Sequence, residues 1–167
     1  MSPRSPAARS RRLILNRVAF WLWRLRNLPL AAAAGLRVLR LDDSGAVTRL
    51  PGGWRTRNPF GSTYFAAQAM AAEMSTGAPL LTLVAGARAP LKVLVVGIEA
   101  QFVKKLVGAG LFACTDGPAL RAAVERVASG GETEQIGARS TGRDARGDVV
   151  SEWTISWIVK RRMPPRV

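Results

Sequence analysis

Two periods of hydrophobic and polar positions run along this chain. Between Arg11 and Leu28, Ile14, Val18, Trp21, Leu22 and Leu25 recur at helical spacing, with Asn16, Arg17, Arg24 and Asn27 on the opposite side. Leu28 precedes Pro29, and a residue before proline is pushed out of the α region, so the pattern predicts a helix that stops there. "LRVLRLDDSGAVTRL" then switches to alternation around a DDSG turn and predicts a hairpin with strands at 36–41 and 46–50.

After the loop "PGGWRTRNPFG", residues 63–76 are small and apolar almost throughout. They predict a buried helix, with Gly77 as the residue that ends it. "APLLTLVA" fits a strand or a short buried helix equally well. Strands are predicted at 91–103 and 111–116, then a helix over "GPALRAAVERVASGG" with Pro118 near its start. Two alternating strands joined by a turn at "DARGD" close the chain. Helices and strands do not alternate regularly, which argues against a doubly wound parallel sheet. The order suits an α+β architecture in which a curved antiparallel sheet covers the all-apolar helix.

Composition changes this picture by exclusion. The 167 residues contain no histidine and one cysteine, Cys114. That removes Ser-His and Cys-His nucleophile pairs, thiolate or imidazole metal cages, and any intramolecular disulfide. No metal site is expected. Catalysis has to rest on carboxylates, amides, hydroxyls, lysine or backbone dipoles.

The net charge of +14 is uneven: residues 1–41 hold nine arginines and no acid, and the rest is only mildly basic. The chain therefore divides into a basic amphipathic N-terminal helix over residues 1–34 and one domain over 35–167. The helix has two readings. Its apolar stripe packs on the domain or on a second subunit, or it lies on an anionic membrane surface with Trp21 and Trp23 at headgroup level. No aromatic–basic motif points to nucleic acid, which makes DNA the weaker target for the arm. "SRRLIL" resembles a twin-arginine signal, but Arg17, Arg24 and Arg26 interrupt the apolar region such a signal needs. The expectation is a cytoplasmic protein that can touch the membrane.

The stretch "NPFGSTYFAAQAMAAEMSTG" poses a chemical question, because Glu73 is its one acid. Asn58, Pro59, Gly61, the hydroxyl pair Ser62–Thr63 and Glu73 ten residues further on resemble the hotdog fold. The nearest likeness is to phenylacetate-type acyl-CoA thioesterases and their uncharacterised neighbouring subfamily. "EAQFVKKLVGAG" resembles the strand that passes the active site, and "GDVVSEWTISW" the closing strand, so the likeness spans roughly residues 36–162. One departure stands out. Where familiar members carry His-Gly-Gly at the helix start, this chain has Tyr64-Phe65-Ala66, which keeps backbone N–H groups but narrows the space beside a thioester.

The resemblance implies an acyl thioester hydrolase with CoA as part of the substrate and no other cofactor. Glu73 acts as general base on water or as nucleophile, and the Phe65 and Ala66 N–H groups serve as oxyanion donors. Asn58 holds the water or the carboxylate. Gly61, Thr63 and Tyr64 shape the substrate cleft, while Lys104, Lys105, Arg55 and Arg57 reach the CoA phosphates. Plainer alternatives stand beside each assignment: a half-exposed Glu73 near a helix end, Asn58 as a turn residue, Ser62 and Thr63 as caps, the basic residues as a solvated edge. Phe65 and Glu73 are eight residues apart, about 12 Å along a helix, so one carbonyl cannot meet both on one chain. If both act, the protein is a homodimer, or a dimer of dimers, with composite sites. A non-catalytic hotdog that binds acyl or lipid ligands is the second reading, motivated by the altered triplet.

Overall fold

The computed structural model describes residues 5–162; residues 1–4 and 163–167, the outer limits of the two predicted segments, lie outside the described residues. Eleven elements follow in order: α1 (Pro6–Leu15), α2 (Arg17–Asn27), α3 (Pro29–Ala33), β1 (Arg37–Asp42), β2 (Gly45–Leu50), α4 (Phe65–Gly86), β3 (Leu91–Phe102), β4 (Gly110–Cys114), α5 (Gly117–Ala128), β5 (Thr133–Arg143) and β6 (Val149–Arg161). The strands form one six-stranded sheet in the order β1-β2-β4-β5-β6-β3, and each neighbouring pair is antiparallel. This sheet curves around α4 in the hotdog arrangement that the sequence order suggests.

The β1–β2 hairpin turns where its residues favour a turn. The Ser44 N–H donates to Asp42 Oδ1 at 2.9 Å. This contact and, first of all, the Ser44 hydroxyl hold the Asp42 carboxyl down at about 2. Gly45 follows because any Cβ there would stand 2.1 Å from the Cys114 carbonyl oxygen of β4.

Along β6, Ser151, Trp153, Ile155, Trp157 and Val159 point toward α4 and are buried, while the residues between them are not. The period of two in this strand thus fixes which face holds the core. Phe112, Leu50 and Leu80 complete that core from other elements, and Leu106 from the loop between β3 and β4.

α4 does not end at Gly77 as the sequence predicts. It continues to Gly86 through Pro79, and "APLLTLVA" is its second half. Gly77 is not in the left-handed conformation of a helix terminator. A Cβ there would stand 3.2 Å from the Trp157 ring and 3.1 Å from Glu73 Oε1, so glycine is present to admit these two side chains.

The N-terminal region also departs from a single helix. Asn16 takes an extended conformation and its Oδ1 accepts from the Ala19 N–H at 2.9 Å, which caps α2 and separates it from α1. α1 packs on α4, with Ile14 buried and Ala7 close against Gly86. In α2 the expected packing stripe faces outward: Val18, Trp21, Leu22 and Leu25 are exposed. Phe20 and Arg24 are buried instead. The Arg24 guanidinium lies 4.8 Å from the Phe20 ring centroid and donates to the carbonyls of Leu36 and Ala31, the latter at 3.4 Å. Backbone carbonyls of Leu36 and Ala31 at the α3–β1 corner thus claim an arginine, and the leucine face is left out (Nε also reaches the Phe20 carbonyl within α2, at 3.3 Å). No helix among the described residues is long and apolar enough to cross a membrane.

Candidate functional site

The loop before α4 is built by its own polar groups. Asn58 Oδ1 accepts from the N–H groups of Phe60 and Ser62 at 3.0 and 3.1 Å, and Nδ2 donates to Ser62 Oγ at 3.0 Å. Gly61 completes this turn at φ +75°. Thr63 is buried; its hydroxyl donates to the Gly108 carbonyl at 2.9 Å, and its N–H to Leu106 at 2.7 Å. The Arg57–Thr63 bridge and the Tyr64 N–H donating to Thr56 at 2.7 Å close the loop. Asn58 and Thr63 therefore spend their side chains on holding the helix start in place.

Tyr64 is the N-cap, in extended conformation and without a side-chain cap bond. The Ala67 and Gln68 N–H groups both donate to the Tyr64 carbonyl. The Phe65 and Ala66 N–H groups have no acceptor among the described residues. They are the free donors a helix start supplies, at the positive end of the helix dipole. The Tyr64 and Phe65 rings meet edge to face at 4.9 Å, and both are exposed.

Sequence reasoning missed Gln68, although its signal matches that of Glu73: a polar side chain in an apolar helix. Gln68 is buried, donates from Nε2 to the Thr63 carbonyl at 3.1 Å, and accepts at Oε1 from Ser151 Oγ at 3.3 Å. Ser151 Oγ in turn accepts from Trp153 Nε1 at 2.8 Å. This chain of bonds ties the helix start to β6.

Glu73 lies about two turns further along α4, partly buried between Gly77 and the Trp157 ring. Trp157 is itself fixed by donation from Nε1 to Thr76 Oγ1 at 3.1 Å. Among the described residues Glu73 forms no ion pair. Burial alone pushes its carboxyl up to about 7.

One flank of α4 is not fully covered. Ala66, Ala69, Met70 and Glu73 recur at i, i+3, i+4 and i+7 and are all only partly buried. β3 is one of the two edge strands of the sheet. Pairing of Ile98 with Ile155, and of Phe102 with Ser151, places both on the helix side of the sheet. They are nevertheless 50% and 52% exposed. The concave face thus extends past the helix that should cover it.

The basic candidates divide. Lys104 Nζ is held by Asp148 at 2.6 Å and Asp144 at 2.9 Å, and the Asp148 bond is the first cause raising its pKa. Arg57 and Lys105 are exposed, with no ion pair among the described residues. Cys114 is buried and its thiol is pushed up to about 11, chiefly by desolvation, so it is inert. A groove of about 460 Å³ lies on the outer face of the sheet between Glu99, Arg139 and Glu152. Glu73 does not line it.

Residues 17–159 match the model of a family described as a domain of unknown function, DUF4442. No curated protein matches the sequence. Among solved structures, a Pseudomonas aeruginosa protein of unknown function described as a probable thioesterase shares 21% identity at a TM-score of 0.66, over 94% of this chain and 97% of its own. A thioesterase from Haemophilus influenzae is similar at 12% identity and TM-score 0.61, covering 87% and 92%. A Bacillus halodurans protein crystallised with CoA is similar at 14% identity and TM-score 0.59, covering 90% and 88%. These likenesses establish the hotdog fold.

Proposed function

Because this chain belongs to the DUF4442 family, whose description assigns no activity, we propose from the geometry of α4 that it hydrolyses acyl thioesters at a site shared by two copies. The observation that carries this reading is the pairing of two features on one helix: two unclaimed N–H groups at its start and a carboxyl held near 7 two turns on. The thioesterases among its structural relatives, and the relative crystallised with CoA, favour an acyl-CoA as substrate.

The free edge of β3 and the uncovered flank of α4 support the dimer. Two copies joined edge to edge along β3 continue the sheet and lay the two α4 helices antiparallel, so that each Glu73 approaches the other's helix start. Water then attacks the thioester carbon while Glu73 takes its proton. The Phe65 and Ala66 N–H groups of the mate hold the oxyanion. Collapse breaks the C–S bond, and the thiolate leaves with the proton from Glu73, giving a carboxylic acid and a thiol. Asn58, Gly61 and Thr63 serve by shaping the loop, and the Tyr64 and Phe65 rings line the acyl path. Lys105 and Arg57 are the basic groups free to meet phosphate, whereas Lys104 orders the loop at Asp144 and Asp148.

A panel of acyl-CoA thioesters, followed by release of free thiol, tests the activity. Turnover on at least one chain length that is lost in Glu73→Gln is the expected result. Tight acyl-CoA binding without turnover across the panel overturns the hydrolase reading and leaves an acyl-binding hotdog.

A further inference from the structure

The outward face of α2 has an order of its own. Around the helix, Trp21, Leu25, Val18 and Leu22 fill one arc of about 100°. Arg17 and Arg26 stand at its two margins, and all six side chains are exposed. Val18 is 66% and Leu22 56% exposed. Leu28 and Leu30, also exposed, extend the apolar surface beyond the end of α2. An apolar patch of this kind is uncommon on a monomer unless something covers it.

A cavity of about 430 Å³ opens beside this arc. Four arginines line it, Arg17, Arg24, Arg37 and Arg55, together with Val18 and Trp21. No carboxylate is among its walls, and none of the four arginines belongs to an ion pair among the described residues. Arg24 is buried there, and its pKa is lowered by desolvation first and by the Arg37 charge second. Positive charge is crowded at this spot, and an anion would relieve it.

We propose that α2 is an interfacial helix that seats the protein on an anionic phospholipid surface, with its Val18–Trp21–Leu22–Leu25 arc among the acyl chains and a headgroup phosphate in the arginine cavity. Charge complementarity selects this occupant. An apolar arc bordered by arginines, with an indole at its edge, lets the aliphatic stems follow the apolar surface while the guanidinium groups reach the phosphate layer. A second copy docked on the same face would set Arg17 and Arg26 against their own kind, since residues 5–41 hold no acid. Nucleic acid would leave the leucines in water.

Flotation of the full chain with vesicles tests this, using phosphatidylcholine alone and phosphatidylcholine with about 30% phosphatidylglycerol. The expected result is partition at least tenfold stronger into the anionic vesicles. Leu22→Glu and Arg17→Glu are each expected to lower it about tenfold, and both leave hydrolysis of a soluble thioester unchanged. Millimolar inorganic phosphate in the same assay separates headgroup from free anion: partition that persists supports the membrane reading. Loss of partition in phosphate, equal partition of Leu22→Glu and wild type, or a change of oligomer size in Leu22→Glu would each overturn the proposal. So would salt-dependent binding to duplex DNA in the absence of any partition into vesicles.

Discussion

Glu73 Oε1 and the bare Cα of Gly77 face each other one helical turn apart, and a methyl group on Gly77 would stand 3.1 Å from that oxygen and 3.2 Å from the Trp157 ring. The glycine is thus part of the carboxylate's seat. Gly77→Ala gains up to about 1 kcal/mol of helix propensity. It is nevertheless expected to lose activity several-fold, because either the carboxylate or the indole has to move. Thermal unfolding beside thioester turnover separates the two effects: an unchanged melting temperature with reduced kcat is the expected pair.

The elevated carboxyl sets the pH behaviour. A general base works only when deprotonated, so kcat rises with pH through about 7. In Glu73→Gln the rate falls about a hundredfold or more and that ascending limb disappears. Stability runs the opposite way. The folded carboxyl binds its proton more tightly than the unfolded one, so between about 4.5 and about 7 stability declines as pH rises, by at most about 3 kcal/mol. Glu73→Gln removes this penalty. Denaturant titrations at pH 5 and pH 8 should show the variant gaining on the wild type much more at the higher pH.

Composite sites can be detected by mixing. Phe65→Pro deletes one proposed oxyanion donor while keeping the helix, because proline is tolerated at the first helical position and Tyr64 already has φ −61° and ψ 136°. Alone, Phe65→Pro and Glu73→Gln are both expected to be nearly inactive. Unfolded together and refolded, they should recover about a quarter of wild-type activity, since half of the random pairs are mixed and each has one intact site of two. No recovery, with both variants folded and pairing, overturns the shared site.

Gln68 is expected to matter to the fold more than to the chemistry. Gln68→Leu leaves the Thr63 carbonyl and the Ser151 hydroxyl without their buried partner. A loss of about 1–3 kcal/mol in denaturant unfolding is expected, with KM affected through the loosened helix start.

The strands were legible because their side chains alternate and their turns carry glycine or aspartate at the needed places. α4 was half legible. Gly77 looks like a terminator on the page, and only its distance to Trp157, eighty residues away in sequence, reveals it as a packing residue. The placement of Glu73 inside an apolar helix was legible as an anomaly, and burial accounts for its raised pKa. Asn58 and Thr63 read as chemistry in the motif, yet their hydrogen bonds are spent on the loop. The orientation of α2 was hidden, because its periodicity shows which residues share a face but not which face meets the domain. The carbonyls of Leu36 and Ala31, invisible to any hydropathy pattern, decided for Arg24.

The open margin at β3 has a consequence for how the molecule persists at low abundance. In the proposed dimer each mate covers the other's β3 margin, so the melting point should rise with concentration. Dilution would then part the two halves of each shared site, and scarcity alone would silence it.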